Sequence, residues 1–199
     1  FCSGYDYHFP FLEKENSNLN VECVRGERRV SPLFAQLWHA NYPNIAFVGL
    51  PHSVVPMPLC ELQAEAFAHQ LQIAMSTIKA SNTNAHQLPS LQQRLLSANK
   101  DAESGGPNQG RVQETHFLGS YQWDYCRSLA KYANNYNEDM ENYIATNKAI
   151  YDHAGKERKK LFPGGEDVYR ETRYSRCDET RSFGVSTTTT TITKPQQEE

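Results

Sequence analysis

The sequence predicts an α/β fold that ends in a helical cap, and three observations lead there. Residues Asn44 to Leu71, NIAFVGLPHSVVPMPLCELQAEAFAHQL, read as a buried strand, a proline-punctuated turn and a helix. Two later stretches, Tyr121 to Tyr132 and Glu138 to Lys160, read as helices, the second stopped by Pro163-Gly164-Gly165. Apolar residues make up 38% of the 199 residues, below the ~45–50% of an ordinary globular chain. Such a chain can bury one modest core, with helices that lean on it.

The elements follow in order. FCSGYDYHFPFL looks like the end of a strand entering a loop, broken at Gly4, with Pro10 holding Phe9 extended. Glu13 to Gly26 is polar and expected to cross a surface. RVSPLFAQLWH (Arg29 to His39) combines a short extended piece with one helical turn after Pro32. Ile45 to Leu50 begins as an unbroken apolar run, which fits a strand covered on both faces, as in a parallel sheet; periodicity alone leaves a buried helix open. From Leu59 to Ile78 the pattern is helical, with Leu59, Leu62, Ala66 and Ile73 on one face. Pro58 suits a first turn, and Glu61 adds a carboxylate near the positive helix end. Ser81 to Leu88 reads as a linker, a helix follows Pro89, and Ser104 to Gly110 (SGGPNQG) is a turn. Five consecutive threonines and KPQQEE mark Thr187 to Glu199 as low complexity and disordered.

Charge and cysteine usage exclude several function classes. A net charge of -3 and a pI near 6.2 give no basic footprint for nucleic acid. The run Lys156, Arg158, Lys159, Lys160 reads as a solvated face near a helix C-terminus, where cations suit the dipole. The five cysteines are scattered, with no CxxC pair and no histidine spacing that builds a zinc site. Free thiols in a reducing, cytoplasmic compartment follow. No stretch approaches the ~20 apolar residues of a membrane-spanning helix.

The strand–turn–helix is the candidate site. A chain delivered to a helix N-terminus meets outward, unpaired amides that suit an anion or a polarised carbonyl. Gly49 lets the backbone pass close to something, and Pro51, Pro56 and Pro58 stiffen the turn. Residue types alone fit either a cofactor edge or an ordinary connection. His52 is either a base beside such a site or a turn residue. Trp123, with Tyr121 and Tyr125, floors a substrate channel or forms core. His69 reads as a helix residue, and Asp124 with Arg127 as a surface pair of little worth.

Four co-linear stretches resemble the flavin-containing monooxygenases, particularly as plant-like and microbial members write them. NIAFVGLP followed by PMPLCELQA is similar to the family's strand ending in Gly-Leu-Pro, its Pro-x-Pro and its Glu-x-Gln-Ala helix. FCSGYDYHFPFL resembles the Ala-Thr-Gly-Tyr motif, here Cys2-Ser3-Gly4-Tyr5, with its trailing aromatic-Pro-Phe-Leu. VSPLFAQLWHANYP is similar to the bridge between them, and THFLGSYQWDYCRSLAK to a Gln-Trp-Asp-Tyr-Cys helix. The closing AIYDHAGKERKKLFPGGEDVYRE also has its counterpart, so the likeness covers roughly residues 1 to 176.

The resemblance implies a C-terminal part of a two-domain FAD/NAD(P)-binding flavoprotein. On that pattern residues 1–30 return from the NADPH domain to the FAD domain and 31–80 are its distal strand–turn–helix. Residues 81–180 form the helical C-terminal region, and 181–199 the tail. Gly49, Leu50, Pro51 and His52 would line the flavin ring, amides around Leu59 would face its pyrimidine edge, and Gln63 would reach the ring or its ribityl chain. Ser3, Gly4 and Tyr5 would lie where the NADPH domain rejoins the FAD domain. The implied reaction oxygenates soft amine or sulfide substrates with NADPH and molecular oxygen through a flavin hydroperoxide. No Gly-x-Gly-x-x-Gly turn follows a strand here, and the chain opens at Phe1 without methionine. A fragment is therefore expected, inactive alone and unable to hold FAD tightly, with a homodimer left open. The rival expectations are a Baeyer–Villiger or other two-domain flavoprotein oxidoreductase, and a truncated, non-catalytic interaction module.

Overall fold

Backbone donors and acceptors decide where the elements of this chain begin and end. The computed structural model describes residues 7, 9, 12, 21–24, 29–76, 87–107, 115–160, 172–177 and 179–187. These fall into two compact units, 1–136 and 137–199. Helices and small sheets make up both.

The first unit opens with a ladder of strand β1 (Glu22–Val24) against antiparallel β2 (Arg29–Ser31). A hairpin of β3 (Leu33–Phe34) and β4 (Trp38–His39) follows. Its connecting residues Ala35 and Gln36 are left-handed, with φ of 49° and 55°, so the expected helical turn after Pro32 is instead the tip of a hairpin. Such tips need positive φ to match the twist of the flanking strands. Val30, Leu33, Phe47 and Leu50 form the core beside these strands, with Tyr7, Phe9, Leu12, Val21 and Ile45 packed against it.

The apolar run Ile45 to Leu50 is not a strand. It makes one antiparallel bridge, Ala46 to Trp38, then turns at Val48 and Gly49. Among the described residues the strands pair only as three two-stranded antiparallel ladders, so no parallel sheet covers this run on both faces. Phe47 and Leu50 enter the core while Val48 is exposed. Hydrophobicity specified burial of part of the run but supplied no partner strand.

Helix α1 (Pro56–Met75) starts two residues before Pro58. Both prolines fall in the first turn, where a missing N–H costs nothing, and Glu61 consequently lies in the second turn. Leu59, Leu62 and Ala66 are buried as the shared face requires, joined by Gln63 and Gln70. Helix α2 (Leu91–Ser104) has a capping box: Gln93 N–H donates to Ser90 Oγ, and Ser90 N–H to Gln93 Oε1. It ends at left-handed Gly105, and Gly106 N–H donates to Asp101 O at 2.7 Å. A 3-10 turn (Gly119–Tyr121) leads into α3 (Gln122–Tyr132), which packs on α1. The last carbonyl of α3, Tyr132 O, accepts from Gln70 Nε2 at 2.8 Å and His69 Nδ1 at 3.0 Å, which gives His69 a capping role.

In the second unit α4 (Glu138–Lys160) begins where Asn137 Oδ1 accepts from Met140 N–H at 2.9 Å. Glu138, Asp139 and Glu141 put negative charge on its positive end. A hairpin of β5 (Thr172–Cys177) and β6 (Ser182–Thr187) packs on α4. His153, Tyr174 and Phe183 meet edge to face with centroids 5.3 to 5.7 Å apart, and Arg181 Nε donates to Asn142 Oδ1 at 2.6 Å. Residues 182–187, assigned by sequence to the tail, are thus a strand. The expected stop at Pro163 and the threonine run beyond 187 lie outside the described residues.

Two glycines make opposite predictions. A Cβ on Gly106, at φ +85°, would stand 2.2 Å from Thr115 O. Gly106→Ala is therefore expected to destabilise the first unit by about 2 kcal/mol or more. Gly155 sits inside α4 with open space around it, and Gly155→Ala is expected to stabilise the second unit by up to ~1 kcal/mol. Amide exchange of each unit's buried residues measures both.

Candidate functional site

The chain reaches the site along β4. Phe47 N–H donates to Leu37 O at 2.9 Å and His39 N–H to Ile45 O at 2.9 Å, which steers Val48 and Gly49 outward. Gly49 takes φ +83°, a conformation that glycine adopts without strain. Leu50 and Pro51 then turn inward and are buried, while Ser53, Pro56 and Met57 face solvent. The result is a surface turn from Val48 to Pro58 with an apolar underside.

Side chains from distant segments take the turn's backbone donors. Gly49 N–H donates to Gln63 Oε1 at 2.9 Å, and Gln63 Nε2 donates to Tyr125 Oη at 3.0 Å. Tyr125 Oη in turn donates to Ala35 O at 2.9 Å. At the turn's centre His52 N–H donates to His116 O at 3.0 Å, and His52 O accepts from Leu118 N–H at 3.2 Å. The His52 ring stands edgewise to Phe117, 5.6 Å between centroids. At its end Val55 N–H donates to Gln122 Oε1 at 2.7 Å. Tyr7 Oη adds a bond to Leu50 O at 3.2 Å.

This geometry revises several sequence expectations. With α1 starting at Pro56, the Leu59 amide is the first to find an intrahelical acceptor. Of the first-turn positions, Pro56 and Pro58 have no N–H and Val55 is engaged by Gln122, which leaves the Met57 amide as the donor at the helix mouth. Leu59 itself is 1% exposed, on the buried face of α1. Gln63 is fully buried with both ends of its carboxamide used, so it braces the turn from within. Trp123 and Tyr125 are buried and Tyr125 belongs to this brace. Ser3, Gly4 and Tyr5 lie outside the described residues. Gly49, Leu50, Pro51 and His52 do share one turn.

A second polar chain lies behind His52. Val30 N–H donates to His116 Nε2 at 3.0 Å, so Nδ1 carries the proton and donates to Gln36 Oε1 at 2.6 Å. Gln36 Nε2 donates to Asp101 Oδ2 at 3.2 Å. Burial, with smaller contributions from His52 and Arg29, lowers the His116 pKa from 6.5 to about 4. Burial likewise raises the Asp101 carboxyl above its usual range, partly offset by the Gln36 bond and Lys100. Burial pushes the Cys126 thiol up to about 12, which keeps it protonated and inert. Cys60, Cys126 and Cys177 are free thiols. No metal-binding cluster occurs among the described residues, and no helix among them is long and apolar enough to cross a membrane. The turn is built to present backbone, an apolar rim and a helix mouth.

Comparison with known proteins bears on what that surface meets. No family model matches the chain. Over 131 residues, 65% of the chain, it is 34% identical to "Flavin-containing monooxygenase FMO GS-OX-like 4" of Arabidopsis thaliana, of which this covers 25%. Over 65 residues, 32% of the chain and 13% of the relative, it is 40% identical to "Flavin-containing monooxygenase FMO GS-OX-like 7" of the same plant. The solved structure of S-allyl-L-cysteine S-oxygenase from Allium sativum superposes with a TM-score of 0.56 at 25% identity. That match covers 90% of this chain and 35% of the garlic protein. Over about two thirds of its length the chain is thus similar to flavin-containing monooxygenases. It spans about a quarter of the length of the curated relatives that it matches over 131 residues.

Sequence reasoning missed Gln122, His116 and Gln36, each of which acts across a long sequence separation. The only local signal was amide or imidazole side chains inside apolar surroundings, as in PLFAQLWH and SYQWDYC.

His116 gives the site a measurable pH dependence. Between pH 6.5 and about 4 the unfolded chain binds a proton that the folded chain does not. The stability tied to this group is complete above 6.5, falls as pH drops and levels off below about 4, a loss of roughly 3 kcal/mol. Urea unfolding of the first unit between pH 4 and 7 measures the slope, which His116→Gln should flatten. A ring titration near 6.5 by NMR contradicts the burial argument.

Proposed function

We propose that this chain is the C-terminal part of an NADPH- and oxygen-dependent flavin monooxygenase of plant-like or microbial type, and that its Val48–Pro58 turn closes one edge of the flavin site. The observation that carries this reading is the exposed, left-handed Gly49 held beside the mouth of α1. Among the described residues a Cβ on Gly49 would meet nothing nearer than Cys60 Sγ at 3.7 Å, and the exposed side of the turn leaves room there for a flat ring. The first turn of α1 carries no carboxylate, and its positive end with the Met57 amide suits a ring edge that gains negative charge on reduction. These residues fit FAD at one edge. Its pyrophosphate needs a glycine-rich turn of the kind this sequence lacks.

When bound, the flavin supplies the oxygen-transfer chemistry, and NADPH its electrons. The residues of this chain then bind and orient. The Gly49 backbone and Met57 N–H hold the ring edge, His52 flanks it, and Leu50, Pro51 and Leu59 back it with apolar mass that excludes water. The substrate class is a soft sulfur or nitrogen nucleophile, and the likeness to an S-oxygenase favours sulfur.

The protein that carries this segment, given NADPH, oxygen and an alkyl sulfide, should yield the sulfoxide with one NADPH consumed per product. Turnover of ketones to esters without sulfide oxidation would instead favour a Baeyer–Villiger enzyme. The 199-residue chain alone is expected to lose FAD on gel filtration. Stoichiometric retention would contradict this division of the site.

A further inference from the structure

We propose that Gln63 and Gln122 are positioning residues that set the shape of the Gly49–Val55 turn and never touch what binds on it. The proposal takes from the preceding section the reading that the turn's outer side meets a flavin. Its two anchoring bonds stand independently of that reading. Gln63 Oε1 takes the amide of Gly49 and Gln122 Oε1 takes that of Val55, one at each end of the turn. Both side chains are buried, at 0% and 1% exposure, beneath a turn whose outer face is Val48, Gly49 and Ser53. A ligand on that face meets backbone and not carboxamide.

Glutamine suits this task on physical grounds. A buried backbone N–H left without an acceptor is costly, and a charged acceptor in the same place would add its own desolvation cost. A neutral carboxamide meets both conditions. The two anchors differ in how their orientation is fixed. Gln63 Nε2 donates to Tyr125 Oη, whose hydroxyl is committed to Ala35 O, so a flipped carboxamide would set two acceptors against each other at Tyr125 and two donors at Gly49. Gln122 Nε2 is buried with no acceptor among the described residues, so Val55 alone orients it. Replacing Gln122 by Glu therefore removes no donated bond, while Glu at position 63 must stay protonated to keep the bond to Tyr125.

Amide exchange on this chain tests the anchors without any cofactor. In Gln63→Met, close in size but without an acceptor, Gly49 should exchange about tenfold faster or more, with Val55 and the buried α1 amides unchanged. Gln122→Met should do the reverse. Gln63→Glu and Gln122→Glu, which keep an acceptor, should restore protection. Gly49 and Val55 amides that exchange at unprotected rates in the wild type, or ignore these substitutions, overturn the proposal. In the FAD-loaded protein that carries this segment, both methionine variants should shift the flavin absorption bands, and both glutamate variants should restore them. Identical flavin spectra in all variants overturn the positioning role. A wild-type protein that binds no flavin refutes the assignment of the surface, and the exchange data alone then decide the anchors.

Discussion

The first unit of this chain depends on one constraint: a turn that carries its carbonyl and amide groups over an apolar core must find partners for them. Water reaches the outside of the turn only. The inward groups are satisfied by Gln63 from α1, Gln122 from α3 and the backbone of residues 116 to 118. Every one of these segments must be in place before the turn has a shape. The site surface is thus a product of the tertiary fold and has no independent local structure.

Low apolar content explains why polar bonds carry so much of the organisation. The core beside the short strands is small, built round Val30, Leu33, Phe47 and Leu50. Around it run two buried polar chains, Gly49–Gln63–Tyr125–Ala35 and Val30–His116–Gln36–Asp101. Each joins segments that hydrophobic contact alone would leave free to slide, because such bonds work in one register only. The second chain also fixes His116 as a neutral donor through Nδ1, which makes its backbone carbonyl a steady acceptor for His52.

The helices were legible because boundary signals are written locally. Pro58 in the first turn of α1, Pro89 just before α2 and the SGGPNQG turn after it lie within a few residues of the feature they set. The run Ile45 to Leu50 was misread for the opposite reason. Four apolar residues in a row say that some of them are buried, yet a strand needs a partner, and only Ala46 found one. The β5–β6 hairpin escaped notice because its strands TRYSRC and SFGVST are mostly polar and both faces are largely exposed. At the site, family resemblance drew attention to Gly49 through His52 and to Gln63. It could not reveal that Gln63 points inward, nor that Gln122 answers Val55 from 67 residues away.

Gln122 and Tyr125 are three residues apart on α3, so they stand on one side of one rod. A slide of α3 moves Gln122 and the Val55 end of the turn, while Gln63 on α1 holds the Gly49 end, so the turn keeps its shape only if α1 and α3 move together. On the outer side of that rod Asp124 is exposed and Arg127 and Ser128 are half-exposed, and both bond to Asp124 within the helix. Geometry at the surface is therefore inherited from the way two helices, α1 and α3, lie against each other.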